Sequence, residues 1–343
     1  MKGRSHINMK PLFHQKEKSA IGLDIGTQAI KAVKLKFLKD GAIDCCGFEV
    51  EPAQLDLEPA LKKISQEIGA AEVNISLSGP AVVLRYINFP RMQQDELKQA
   101  LRFEAQKHIP FSVNEVNLDA HIIKDDLPDN KMLVLVAAAK KDFIEERLKA
   151  VKSAGLKAGL IDVDSLALVN AFNFNYPGAG NTEQKAAALL NIGAQEANLN
   201  ILDKAVPRLS RDIRIAGNDF TRKLMEVFNL DFKAAEELKA RPDAERAEKI
   251  GQALGAVVSS LAAEIRVSFD YYESQGASSV NKIFLCGGSS FLPGIKEMLT
   301  NMLDIAVEYW DPFIKLGISA DVDEVKLKAL SAQMAVAVGL ALR

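Results

Sequence analysis

"AIGLDIGTQAIKAVKLK", Ala20–Lys36, decides how the chain is read, because it sets Asp24-Ile25-Gly26-Thr27 between two strand-forming apolar runs. Such a break marks the tip of a β-hairpin, with glycine supplying positive φ and aspartate accepting turn hydrogen bonds. It also suits a phosphate cradle: backbone N–H groups around a bare glycine bind anions, and a nearby carboxylate can hold a hydrated metal ion. One hairpin does not separate the two readings.

A related hairpin lies further along. Leu190-Asn191-Ile192-Gly193-Ala194-Gln195 repeats the Leu, Ile, Gly and Gln of Leu23–Gln28 at one constant offset, 191 − 24 = 167 residues. Both copies open a β-rich half and continue into an alternating second strand. A duplicated α/β domain, closing on one ligand from two sides, would produce this pattern.

The composition narrows the classes. With 48% hydrophobic and 26% charged residues, the chain has the make-up of a soluble globular protein, and 343 residues suffice for two domains. A net charge of −2 lacks the basic footprint of a nucleic-acid binder. Cys45 and Cys46 are neighbours and Cys286 stands alone, so reduced thiols and a cytoplasmic setting are expected. No apolar run approaches a membrane span, and the basic stretch 1–18 reads as a flexible tail rather than a secretory signal.

Periodicity supplies the elements between. Helical spacing is expected around Leu57–Ile68, from Arg91 to Ile109 before Pro110, and from Lys141 to a C-cap at Gly155. Strands are expected at Val73–Leu77, Val82–Pro90 and Lys157–Val163, with a strand pair turning around Asp125–Asn130. A helix follows at Ser165–Asn173. The loop "NYPGAGNTEQK", 175–185, is the best domain boundary. Beyond it come helices at Gly217–Phe228, Phe232–Ala240 and Ala244–Gln275, a helix opened by Pro293, and one apolar helix at the C-terminal end. "FLCGGSSFLPGI", Phe284–Ile295, runs from a strand through two glycines into a helix. It is either a base- and ribose-binding turn or an ordinary βα turn. Glu236 and Lys239, three apart, share one helix face as a solvated pair or as a nucleoside contact.

In order, these pieces resemble the actin-like ATPase superfamily of actin, Hsp70, FtsA and sugar kinases. "LDIGTQAIK" resembles its first phosphate motif, "ALLNIGAQEANLNIL" its second, "LIDVDSLALVNAF" its connecting helix and "FLCGGSSFLPGI" its adenosine motif. "AEELK" is similar to its nucleoside-contacting Glu/Lys pair, and "IAGNDFTRKLM" to the glycine-led helix that follows the second strands. "LRYINFPRMQQDELKQALRFEAQKHIPF", Leu84–Phe111, resembles the start of the 1C subdomain of FtsA and of the PilM family of type IV pilus assembly proteins. The chain length suits the latter.

The resemblance implies an actin-like (ribonuclease H-like) α/β fold of two domains around a nucleotide cleft. Domain I would span 19–185, with 1C at about 84–156. Domain II would span 186–325, and a helix at 326–343 would return to domain I. It implies ATP and Mg²⁺ as cofactors, with Asp24 toward the metal and Asp164 as the candidate water-polarising carboxylate. Gly26, Thr27, Gln28, Gly193, Ala194, Gln195, Gly217, Glu236, Lys239, Gly287, Gly288 and Ser289 would contact nucleotide. Lys31 is a phosphate contact or a surface residue. Asn191 stands where the superfamily has aspartate, so hydrolysis is expected to be weak or absent. The implied partner is the cytoplasmic N-terminus of a PilN-like inner-membrane protein, with other assembly-platform proteins. Membrane contact would be indirect, and homo-oligomerisation stays open. A nucleotide-independent pseudo-ATPase scaffold and a small-molecule kinase are the competing functions.

Overall fold

The computed structural model describes residues 18–53, 55–178, 185–276 and 278–343. The expected basic tail therefore lies outside them except for Lys18, as does 179–184 of the expected boundary loop.

Strands β1 (Lys18–Ile25), β2 (Ala29–Phe37) and β3 (Ile43–Pro52) lead through helix α1 (Glu58–Ile68) to β4 (Glu72–Leu77). A small sheet follows from β5 (Val82–Pro90), α2 (Gln94–Ala105), β6 (Val116–Leu127) and β7 (Lys131–Lys140). Helix α3 (Lys141–Ser153), β8 (Lys157–Val163) and α4 (Asp164–Asn175) complete the first half. The second half runs through β9 (Ala186–Ile192), β10 (Ala197–Asp203), β11 (Val206–Ile213), α5 (Gly217–Phe228), α6 (Phe232–Ala240) and α7 (Ala247–Ser274). It continues with β12 (Val280–Cys286), α8 (Ile295–Leu303), β13 (Ala306–Tyr309), β14 (Gly317–Ile318), α9 (Glu324–Leu330) and α10 (Ala335–Ala341).

The repeat read from six residues is a repeat of whole sheets. The first has the order β14-β3-β2-β1-β4-β8 and the second β11-β10-β9-β12-β13, so five strands match in order. They also match in direction: β1/β2 and β9/β10 are antiparallel, β1/β4 and β9/β12 parallel. Asp24 pairs with Lys31 across the first hairpin and Asn191 with Asn198 across the second, again 167 apart (198 − 31 = 167). Both tips span four residues, from the Ile25–Ile30 pair and from the Ile192–Ala197 pair.

The tip glycines serve a different purpose from the one expected. Neither Gly26 nor Gly193 has positive φ. A Cβ at Gly26 would instead lie 2.8 Å from the Ala29 carbonyl oxygen, and one at Gly193 lies 2.8 Å from that of Glu196. The constraint is steric: the turn closes only because the side chain is missing.

Each sheet has its own apolar cover, and a third core joins the two. Leu23, Ile30, Leu61, Ile64 and Val151 pack the first sheet under α1 and α3. Ile192, Leu199, Phe220, Leu254, Val258 and Ile265 pack the second under α5 and α7. Val33 and Leu35, Leu168 and Phe172, Leu189 and Phe284, and Met334 and Val338 make the shared core, so α4 and α10 lie between the sheets. Phe172, Tyr176, Phe284 and Trp310 form an aromatic cluster there, with Trp310 edge-on to Phe172 at 5.3 Å. The small sheet, in the order β5-β7-β6, keeps a separate core of Phe89, Leu97, Leu101, Met132 and Val134.

Three expectations change. The C-terminal segment is two helices joined by a 3-10 turn at Ser331–Met334, not one helix. Pro293 precedes α8, whose N-cap is Gly294 at φ 77°. Helix α7 is long and apolar enough by composition to cross a membrane, although it buries Ile250, Leu254, Leu261, Ile265 and Phe269 against the second sheet.

Every residue of α10 is buried. Its last carbonyls, which a helix cannot satisfy internally, accept from side chains: Asn170 Nδ2 reaches Gly339 O at 2.8 Å and Asn74 Nδ2 reaches Leu340 O at 2.9 Å. A Cβ on Gly339 would overlap the Ala167 carbonyl oxygen, and one on Gly22 that of Ala337. Gly339→Ala should therefore cost about 3 kcal/mol, since overpacking outweighs the helix-propensity gain. Urea unfolding measures this, and an equal or higher midpoint would contradict so close a helix contact.

Candidate functional site

The two hairpin tips face each other across a cavity of about 600 Å³. Asp24, Gly26, Thr27, Gln28 and Lys31 line it from the first hairpin, and Asn191, Gly193, Ala194 and Gln195 from the second. Glu236 and Lys239 come from α6, Gly287, Gly288 and Ser289 from the turn after β12, and Asp164 from the head of α4. Gly217 alone of the residues singled out in the sequence stands behind the wall. Its N–H donates to Gly193 O at 3.0 Å, and a side chain there would strike Ser289 Oγ.

Much of the wall is spent on bracing. Gly193 O also accepts from Ser289 Oγ at 2.9 Å, and Ala194 O from the Asn218 N–H at 2.7 Å, so the start of α5 is tied to the second tip. Gly287 needs its glycine for conformation as well as for space: φ is 98°, and a Cβ would run into Ile192 and Asn191. Lys239 is buried and donates to Gly217 O at 3.2 Å, to Thr221 Oγ1 at 2.7 Å and to Glu236 Oε1. Its three protons are used internally, which fixes α6 to α5 and leaves Glu236 at the rim. Across the mouth, Gln28 Nε2 donates to Asn218 Oδ1 at 2.8 Å and bridges the two halves.

The charged floor belongs to the first half. Lys31 Nζ lies 2.9 Å from Asp24 Oδ2, a largely buried ion pair, and it fills the space beside Gly26. Asp164 heads α4 at the edge of the cavity. Burial and the neighbouring Asp24 charge push its carboxyl up to about 6, against the opposing pull of the Ser76 and Ser78 hydroxyls. A carboxylate titrating there is half-poised to take a proton near neutrality. Burial also lowers Arg147, which Asp164, Glu146 and Asp24 pull back up.

Arg147 was not found from the sequence. It reaches the cavity from α3 with Phe143, whose ring it covers at 5.3 Å. Ser78, Gly79, Glu196, Phe291 and Gln333 are further lining residues outside the expected set. Phe291 had a signal, as the aromatic that follows the double glycine and the two serines after it. Arg147 had none, because only the docking of α3 on the first sheet brings it in.

Among the described residues, no three His, Cys, Asp or Glu side chains cluster closely enough to hold a metal ion. Mg²⁺ needs only one or two carboxylates when phosphates and water complete its shell. Asp24 and Asp164 fit such an ion arriving with a nucleotide; alone, Asp24 is already neutralised by Lys31.

A family model for the type IV pilus assembly protein PilM matches residues 22–343. The chain is similar in structure to one in a PilM–PilN type IV pilus biogenesis complex, with TM-score 0.83 and 29% identity over 94% of this chain and 98% of that one. It also resembles the ethanolamine utilization protein EutJ from Carboxydothermus hydrogenoformans, with TM-score 0.56 and 13% identity over 95% and 89% of the two chains. The fold is the actin-like α/β fold expected from the sequence.

The raised Asp164 has a signed consequence. Between its ordinary value near 4 and about 6, the folded chain holds a proton that the unfolded chain has lost. Stability from this group therefore falls as pH rises through that window. Asp164→Asn should stabilise the protein at pH 7.5 by on the order of 2 kcal/mol, a gain that fades toward pH 4.5. Denaturant midpoints at the two pH values measure it, and a gain independent of pH would remove Asp164 as the titrating group.

Proposed function

The chain belongs to the PilM family of type IV pilus assembly proteins, and on that premise we propose that it binds ATP with Mg²⁺ in the cleft and uses domain closure to set its grip on a membrane-protein partner. The observation that carries this reading is the pair of matched glycine turns opening on one cavity from two repeated sheets. Backbone N–H groups of Gly26, Thr27 and Gln28 would hold phosphate from one side and those of Ala194 and Gln195 from the other, while Gly193, whose own N–H donates to Glu196 O at 3.0 Å, would give the phosphate room to approach. Arg147 adds positive charge on the first side, and Lys31 would do so once Asp24 turned from it to the metal. The adenosine would lie toward Gly287, Gly288, Ser289 and the Glu236 rim, with Lys239 holding that rim in place and Gly217 bracing the turn behind it.

Bound Mg²⁺ would neutralise phosphate charge and order water, with Asp24 as its protein carboxylate. Asp164, titrating near 6, is the group suited to accept a proton from water. Asn191 brings no charge and its amide is engaged with Asn198, which supports binding with slow or absent hydrolysis. The same feature favours the second reading, a scaffold whose turns no longer recruit nucleotide. Closure shifts partner affinity only if ATP binds the closed form better than the open one.

For the partner we look to the small subdomain, about 84–156. There a groove and an exposed sheet edge suit an extended peptide such as the cytoplasmic N-terminus of a PilN-like inner-membrane protein. This would hold the protein in the cytoplasm at the inner-membrane periphery, among other platform proteins.

Calorimetric titration with ATP and Mg²⁺ tests the cleft. One site per chain at micromolar affinity is expected, weakened at least tenfold in Asp24→Ala; no binding by folded protein would leave the scaffold reading. Photo-cross-linking of a PilN-like N-terminal peptide should map to residues 84–156, and cross-links confined to 186–325 would move the partner surface.

A further inference from the structure

The two halves carry their charge differently at matched positions. In the first, the cross-strand row is Asp24–Lys31–Val50, and the carboxylate is neutralised within the hairpin. In the second, the row is Asn191–Asn198–Asp212, and the carboxylate has moved to the third strand. There Asn191 Nδ2 donates to Asn198 Oδ1 at 2.9 Å, and Asn198 Nδ2 donates to Asp212 Oδ1 at 2.7 Å. Burial pushes the Asp212 carboxyl up, while the Asn198 amide and the nearby Gly79 backbone of the first half favour its charged form.

A second row runs beside it, two residues along on β10 and β11. Ser210 Oγ donates to Asn200 Oδ1 at 2.7 Å, so the Tyr86 hydroxyl, 3.1 Å away, donates to Ser210. Burial raises the Tyr86 phenol to about 12, which keeps it a donor. Gly79 and Tyr86 belong to one segment: the Val82 N–H bonds to Gly79 O at 3.0 Å where β5 leaves for the small subdomain.

We infer that these two polar rows form a clasp that closes the second domain on the root of the small subdomain, and that their donor order fixes an amide at position 191. Asp212 only accepts, so Asn198 must turn its nitrogen toward it and present its oxygen to 191. That oxygen requires a donor, and an ionised aspartate at 191 has none. The clasp is independent of what fills the cleft, and it makes Asn191 a positioning residue rather than a vacated metal ligand.

The order can be reversed as a test. In Asn191→Asp alone, a carboxylate faces the Asn198 carbonyl, and the melting temperature of nucleotide-free protein should fall by about 3 °C. Asp212→Asn preserves an acceptor and should stay within about 1 °C. Combining the two lets the Asn198 amide flip, donating to the carboxylate now at position 191 and accepting from the amide now at position 212. The double variant should therefore recover most of the loss. An Asn191→Asp protein as stable as the parent, or a double variant no better than Asn191→Asp, would overturn the inference. If Asn191→Asp is insoluble, recovery of soluble double variant supports the clasp and its failure refutes it. Tyr86→Phe gives an independent reading: amide exchange over 79–86 should accelerate about tenfold while β1 is unchanged. Unaltered exchange at 79–86 would also overturn the clasp.

Discussion

The cleft exists because two sheets must bury a face on the same apolar core. Val33 and Leu35 of one sheet and Leu189 and Phe284 of the other are covered by the same two helices, α4 and α10. A sheet face needs such a cover, and sharing it holds the strands together at one end of the molecule. Their far ends, the two glycine tips, are left facing one another. Close-packed interiors change arrangement in discrete steps rather than by bending. The closure proposed above would therefore be a rotation about this joint, and it would strain the two side-chain bonds that link the halves, Gln28 to Asn218 and Tyr86 to Ser210.

The two halves have equal tips and unlike electrostatics. The first half holds a buried ion pair, which costs desolvation of both charges and is retained only with good geometry. The second replaces it with amides, which are cheaper to bury and directional. One side of the cleft is thus built around charge, the other around oriented hydrogen bonds. The hydrogen-bonded side is also the one that meets the small subdomain, through Ser210 and Tyr86.

Much of this was legible in the sequence because glycine punctuates it. Gly26 and Gly193 sit where apolar runs stop and resume, so both hairpins, their spacing and about half of the residues lining the cavity could be named. The physical reason differs from the expected one: steric room matters at these tips and positive φ does not. Strand β11 escaped notice because "VPRLSRDI" carries a proline and three charges and buries only Ile213. The C-terminal break at Ser331 was hidden inside a run that is apolar throughout, where periodicity carries no signal. Arg147 and Gln333 were invisible for a third reason. They lie on elements whose approach to the cleft is decided by packing between segments distant in the chain, as is the donor order through Asn198.

The chain contains a single tryptophan, and it is Trp310. Its indole is almost fully buried, set edge-on against Phe172 of α4 in the core between the sheets. The ultraviolet emission of the whole protein therefore comes largely from the core on which both halves pack. No label is needed to watch that core, because the fold has placed its one strong fluorophore there.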